Sequence, residues 1–139
     1  MAVFLAEKLQ RLIDDFAMLD DPQERLAAIV DRAKRVPPLP PAERTDANRV
    51  RGCVSVVWLV GEVREGRCYF RGDAESPVVR GLVLCVCDFF NGATVGDVAV
   101  STLEPLDALG VTRNLSPTRR NGLAAVRSAI AAFAKAYVE

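Results

Sequence analysis

NRVRGCVSVVWLVGEVREGRCYFR, residues 48–71, contains three short runs rich in β-branched and aromatic side chains, at 48–50, 54–60 and 67–71. Such residues fit a pleated, half-buried surface, and GEVREG between the last two runs supplies a turn. The stretch predicts a small antiparallel sheet of about three strands. Beyond residue 75 the chain changes character: Ser76-Pro77 offers a helix cap and a first-turn proline, and VVRGLVLCVCDFF is apolar on nearly every face until Asn91-Gly92. A helix of that kind belongs in the centre of the molecule.

Outward from this centre, helical patterning takes over. Leu5, Leu9, Leu12, Ile13 and Phe16 recur at helical spacing between Ala2 and Leu19. A second helix starts at Asp21 as cap, with Pro22 at the first position and Glu24 in the first turn, and ends near Val36. VPPLPPAERT cannot extend it, because proline lacks an amide donor and holds the chain extended. Downstream, Thr94 caps a short helix through Val98, and Ser101 and Glu104 have capping-box spacing before PLDALG, which stops at Gly110. Ser116-Pro117 opens a last helix with an apolar stripe of Leu123, Val126, Ile130, Phe133 and Tyr137. The order of elements predicts an α+β fold in layers, a single domain spanning 1–139, with no internal repeat.

Composition narrows the chemistry. The 139 residues carry 18 basic and 18 acidic side chains and no histidine. Balanced charge gives no basic footprint for nucleic acid or an anionic membrane. Without imidazole, a Ser-His-Asp triad, a Cys-His pair and histidine-ligated zinc chemistry are excluded within this chain. No run reaches the roughly 18 uncharged apolar residues of a membrane span, and the charged residues near the start interrupt any signal-peptide core. These features lead us to expect a cytoplasmic protein whose cysteines are thiols.

The four cysteines are Cys53, Cys68, Cys85 and Cys87. Their spacing matches no metal motif. Cys85 and Cys87 point roughly 200° apart on one helix, and Cys68 lies inside a strand, so packing accounts for all three. Cys53 differs. It follows Gly52 at the entrance to a strand, with Arg49 and Arg51 close enough in sequence to favour a thiolate, the form that attacks sulfur.

At these residues the chain resembles the SufE-like family, the sulfur-acceptor proteins of iron–sulfur cluster assembly. PPLPPAERTDANRVRGCVSVVWLV is similar to that family's proline-rich linker and GCxSxVW motif, FRGDAESPVVRGL to its strand end, GD turn and buried helix, and LSPTRRNGL to the opening of its last helix. The resemblance implies a SufE/NifU-like fold, with Cys53 as the sulfur-accepting cysteine and Arg119 as the arginine near the active loop. Arg51, Gly52 and Ser55 belong to the loop, and Asp73 to the GD turn. It implies as partners a pyridoxal-phosphate cysteine desulfurase and an iron–sulfur scaffold, with no cofactor held by this chain and with homodimerisation left open. The chain departs from the family at Val54 and Val56, where glutamines are common, and at Asn114, where a histidine often precedes the last turn.

Thiolate attack on a sulfane sulfur parallels thiol–disulfide exchange and needs no histidine when the thiol is already partly ionised. Arg119 and Arg51 are expected to supply the positive charge. An apolar shelter would protect the persulfide, and Val54, Val56 or Trp58 are candidates to line one, but each reads first as a core residue and strand alternation cannot bring all three to one site. If those three share one face of the strand, Cys53 lies off it, at the strand entrance. Two other readings stay open: an adaptor that docks on a desulfurase without accepting sulfur, and a thiol redox sensor with a resolving cysteine near Cys53.

Overall fold

The computed structural model describes residues 3–138. Eight regular elements follow in order: helices α1 (Val3–Phe16) and α2 (Pro22–Ala33), strands β1 (Val57–Arg64) and β2 (Arg67–Ala74), then α3 (Pro77–Phe90), α4 (Val95–Val100), α5 (Pro105–Ala108) and α6 (Pro117–Val138). The start of α1 at Ala2 lies outside the described residues. The chain therefore has the predicted α+β architecture, with a two-stranded sheet in place of about three strands.

The missing strand has a local cause. Residues Asp46–Asn48 coil into a 3-10 turn, and what remains of the 48–50 run makes a single antiparallel bridge, Arg49 to Trp58. The Val50 amide closes onto the Val57 carbonyl at 2.9 Å. Residues 51–56 bulge out between these anchors as a loop, so β1 begins at Val57 rather than 54. At the other end β1 runs on to Arg64, and only Glu65 and Gly66 make the turn. Both have positive φ, 52° and 78°. That is the backbone a two-residue hairpin requires to follow the twist of its strands. β1 and β2 pair antiparallel in full register from Val57–Ala74 to Arg64–Arg67.

α3 is the central helix its sequence predicts. Ser76 Oγ accepts from the Val79 amide and Pro77 occupies the first turn. Val79, Leu82, Val83, Val86, Cys87, Phe89 and Phe90 are all buried, which explains why no polar face interrupts the run. One side of α3 packs on β2; α2 lies so close on another that a Cβ at Gly81 would come within 3.0 Å of the Val30 Cα. Each large side chain fully buried here contributes roughly 1.5–3 kcal/mol. α6 closes the core through Val126, Ile130 and Ala134, and Phe133 meets Phe70 edge-on at 5.4 Å. Of the expected apolar stripe, Tyr137 remains exposed.

Several helix ends differ from their sequence reading. α1 stops at Phe16 and α2 at Ala33, with 34–36 turning off before the prolines. Thr94 caps α4 as expected, accepting from the Asp97 amide, and α4 continues to Val100. The capping box of Ser101 and Glu104 does not form. Ser101 Oγ takes the Leu103 amide instead, and the Glu104 side chain pairs with Arg127 at 3.0 Å.

A buried polar hub secures the proline segment. Asp73, 4% exposed, accepts from the Leu39 amide at 3.0 Å, the Ala74 amide at 2.9 Å and Arg80 Nε at 2.8 Å. Arg80 also donates to the carbonyls of Ala33 and Val36. The pair thus ties the end of α2, the linker, β2 and α3 together. Gly72 and Asp73 lie within β2, paired to Leu59 and Trp58, and do not form the expected GD turn.

Candidate functional site

The loop 51–56 carries Cys53, and its shape follows from three residues. Gly52 takes φ +85°, a conformation that suits glycine. Val50 and Val57, 6% and 0% exposed, pin the two ends of the loop in the core. Between them Val54 stands 79% exposed. Side chains therefore alternate: Cys53, Ser55 and Val57 turn inward, whereas Val54 turns out.

Inward, Cys53 faces the start of α6. A Cβ built on Gly122 would lie 2.8 Å from Cys53 Sγ, so the thiol rests against the helix backbone where only glycine leaves room. Ser116 Oγ caps this helix by accepting the Arg119 amide at 3.2 Å. Cys53, Ser55, Val57, Val79, Val83, Thr118, Arg119, Gly122, Leu123 and Val126 enclose a cavity of about 10 Å³. That is at the lower limit for a single water. Outward, Cys53 borders an open depression of about 350 Å³ formed by Asp46, Arg49, Val50, Arg51 and Gly52. The thiol stands at the boundary between a tight, largely apolar interior and an arginine-bearing mouth.

Of the residues picked out from sequence, Cys53, Ser55 and Arg119 share the inner cavity, and Arg51 and Gly52 line the mouth. Asp73 lines neither; its carboxylate is committed to Leu39, Ala74 and Arg80. Val54, Val56 and Trp58, weighed as a shelter and read first as core residues, do not enclose the thiol. Their alternation turns them off the Cys53 face, and Val57, Val79, Val83, Leu123 and Val126 take that position. Gly122 was missed by sequence reading, although its place one turn into α6 after Ser116-Pro117 was visible. Arg120 points elsewhere, donating to the carbonyls of Leu115 and Arg113.

The other thiols have different surroundings. Cys68 and Cys87 are buried, and burial pushes both up, Cys87 to about 12. Cys85, half-buried on the α1–α2 side of α3, is also pushed up to about 12 by burial, with Asp88 adding to the effect. At neutral pH these three are protonated and poor nucleophiles. None of them lines either cavity next to Cys53. Among the described residues no group of three or more potential metal ligands converges.

Fold and site together define a small α+β protein that presents a cysteine on a glycine-hinged loop over the first turns of its last helix. The chain belongs to the SufE family: the model of the SufE Fe-S metabolism associated domain matches residues 10–134. It is 35% identical over 120 residues to an uncharacterized SufE-like protein of Rhizobium meliloti, covering 83% of this chain and 86% of that one. A second uncharacterized SufE-like protein, from Rhizobium etli, is 36% identical over 126 residues, 87% of this chain and 84% of its own length. The solution structure of a hypothetical protein from Thermus thermophilus shares the fold, with a TM-score of 0.70 at 20% identity over 94% of this chain and 96% of that one. Family membership assigns the chain to iron–sulfur metabolism. Among the described residues no helix is long and apolar enough to cross a membrane.

Proposed function

We propose that this protein is a covalent sulfur carrier: Cys53 accepts persulfide sulfur from a cysteine desulfurase, stimulates that enzyme, and passes the sulfur to an iron–sulfur scaffold. In the forward step the Cys53 thiolate attacks the outer sulfur of the donor persulfide. A new S–S bond forms on Cys53, the donor S–S bond breaks, and the donor cysteine leaves as a thiolate, so no external oxidant is consumed. The carrier works as a single SufE-like domain in the cytoplasm and needs no cofactor of its own.

The observation that carries this reading is the contrast among the thiols. Cys53 alone among the four borders both an open mouth and a tight pocket, while Cys68 and Cys87 are buried in the core and Cys85 opens on the α1–α2 side. Arg119 on the inner wall and Arg51 at the mouth offer positive charge to a thiolate or persulfide. The apolar wall of Val57, Val79, Val83 and Val126 keeps bulk water from the inner side. The test is intact-protein mass spectrometry after incubation with a cysteine desulfurase and cysteine. One added sulfur on Cys53, absent from Cys53→Ser together with desulfurase stimulation, is the expected result. Stimulation that survives Cys53→Ser with no sulfur adduct would refute the carrier and favour a non-covalent adaptor.

A further inference from the structure

The two edges of the sheet are treated differently. Along β2 the outer edge is occupied. Cys68 donates to the Ala93 carbonyl at 2.8 Å and accepts from Gly92 at 2.9 Å, and Phe70 donates to Asn91 Oδ1 at 2.6 Å. Along β1 the outer edge starts the same way, with the Val57 carbonyl taking the Val50 amide, and then stops. In an antiparallel pair every second residue turns its N–H and C=O away from the partner strand. Since Val57 faces outward, so do Leu59, Gly61 and Val63, which stand opposite Gly72, Phe70 and Cys68. The Arg49–Trp58 bridge turns the Leu59 N–H onto the Asn48 carbonyl, whereas among the described residues nothing bonds to the outward N–H and C=O groups of Gly61 and Val63.

Beside this edge runs an open groove of about 480 Å³. Leu59 and Gly61 form one wall, and Ala125, Ser128, Ala129 and Ala132 of α6 form the other. Phe133 of α6 also lines the groove and packs against Gly61, where an added Cβ would meet its ring at 2.9 Å, and the other α6 side chains are small and leave the groove open at the β1 edge. Arg49 and Arg51 close the groove at its Leu59 end, no carboxylate lines it, and neither arginine has a salt bridge among the described residues. An unpaired edge of this kind is a template for another strand.

We propose that the outer edge of β1 is a docking site for an extended segment of a partner protein, which adds to the sheet beside Gly61 and Val63 and sets a carboxylate side chain against Arg49 and Arg51. The segment takes up the position that the 48–50 run leaves after its single bridge at Trp58. Main-chain hydrogen bonds hold it, alternate side chains enter the groove, and small ones are preferred over α6. This site rests on backbone geometry and charge, and it stands whether or not Cys53 carries sulfur.

The probe is a phage-displayed random-peptide library selected on the full chain, followed by hydrogen exchange with a selected synthetic peptide. The expected peptides carry Asp or Glu at one end of a β-prone run, and they slow exchange at the amides of Gly61 and Val63. Val63→Pro removes an outward N–H without touching the β1–β2 ladder and should weaken binding roughly tenfold. Because that proline can also strain the strand, Arg49→Glu provides an independent check. It should weaken the acidic peptide and be rescued by a peptide with Lys in place of the acid. Failure to select a binder, selected peptides that leave the Gly61 and Val63 amides unprotected, or peptides indifferent to both variants would overturn the proposal. So would protection of the same amides in the peptide-free protein together with a dimer in sedimentation, since the occupant would then be a second copy of this chain.

Discussion

Adding one methyl group at Gly122 tests how the Cys53 loop is held. A Cβ there would lie 2.8 Å from Cys53 Sγ and 3.9 Å from Cys53 Cβ. Ordinary contacts sit near 3.5–4.0 Å, so the thiol must retreat by roughly 1 Å. Two terms then oppose each other. Alanine in place of glycine inside a helix gains about 1 kcal/mol, and forcing an extra carbon into a packed site costs about 1–3 kcal/mol. The obstructing atom belongs to a loop hinged at Gly52 and carrying an exposed Val54, so the loop yields and the cost falls at the lower end. Gly122→Ala is therefore expected to change stability by no more than about 1 kcal/mol, a melting shift within roughly 4 °C. Its main effect is to lift the thiol from its pocket. Alkylation of Cys53 by iodoacetamide, followed by peptide mass spectrometry, should accelerate several-fold while Cys68, Cys85 and Cys87 stay unmodified. A variant that gains the full helix increment with unchanged Cys53 reactivity would refute the packing of Sγ on Gly122.

Asp73→Ala should destabilise the protein by roughly 3–5 kcal/mol in chemical denaturation, because it removes the charged partner of Arg80, leaving that guanidinium only its carbonyl bonds, and frees the Leu39 amide; a loss below about 1 kcal/mol would contradict the role of this carboxylate as a hub. Burial holds the Cys87 and Cys85 thiols at about 12, above their unfolded value, so the folded state retains protons that the unfolded chain releases. Stability from these groups is fully present below about pH 8.5 and is lost as pH rises toward 12. Thermal melts should show that alkaline decline, and Cys87→Ala should flatten it. Glu65→Asn should stabilise the hairpin by about 0.5 kcal/mol, since asparagine tolerates the positive φ at that turn better than glutamate; an unchanged or lower melting temperature would contradict the turn geometry.

Much of the fold was legible because its signals are local. Proline at the first turn with Ser76 or Asp21 before it marks a helix start wherever it occurs, since the cap bonds only to amides two or three residues away. The almost wholly apolar run of α3, broken only by Arg80 and Asp88, announces a central helix buried over most of its surface. The hairpin was located, but its ends were not. Strand limits depend on which backbone groups find partners, and the 48–50 run lost its place as a strand to a 3-10 turn that its composition does not disfavour. The Ser101 and Glu104 box failed for a similar reason: Arg127, distant in sequence, offered Glu104 a charged partner.

For the candidate site, the sequence alone nominated the residues that the proposed chemistry would use. It singled out Cys53, with Gly52 to bend the loop and arginines within reach, and absent histidine restricted what that thiol can do. Only the tertiary structure decided which of those residues meet. It set Cys53, Ser55 and Arg119 around one small cavity, supplied Gly122 as the floor, walled it with Val57, Val79, Val83 and Val126, and committed Asp73 to the linker. The physical reason is that side-chain parity along the loop and the approach of α6 are fixed by packing between elements more than sixty residues apart in sequence. Spacing within any one segment carries no record of that approach.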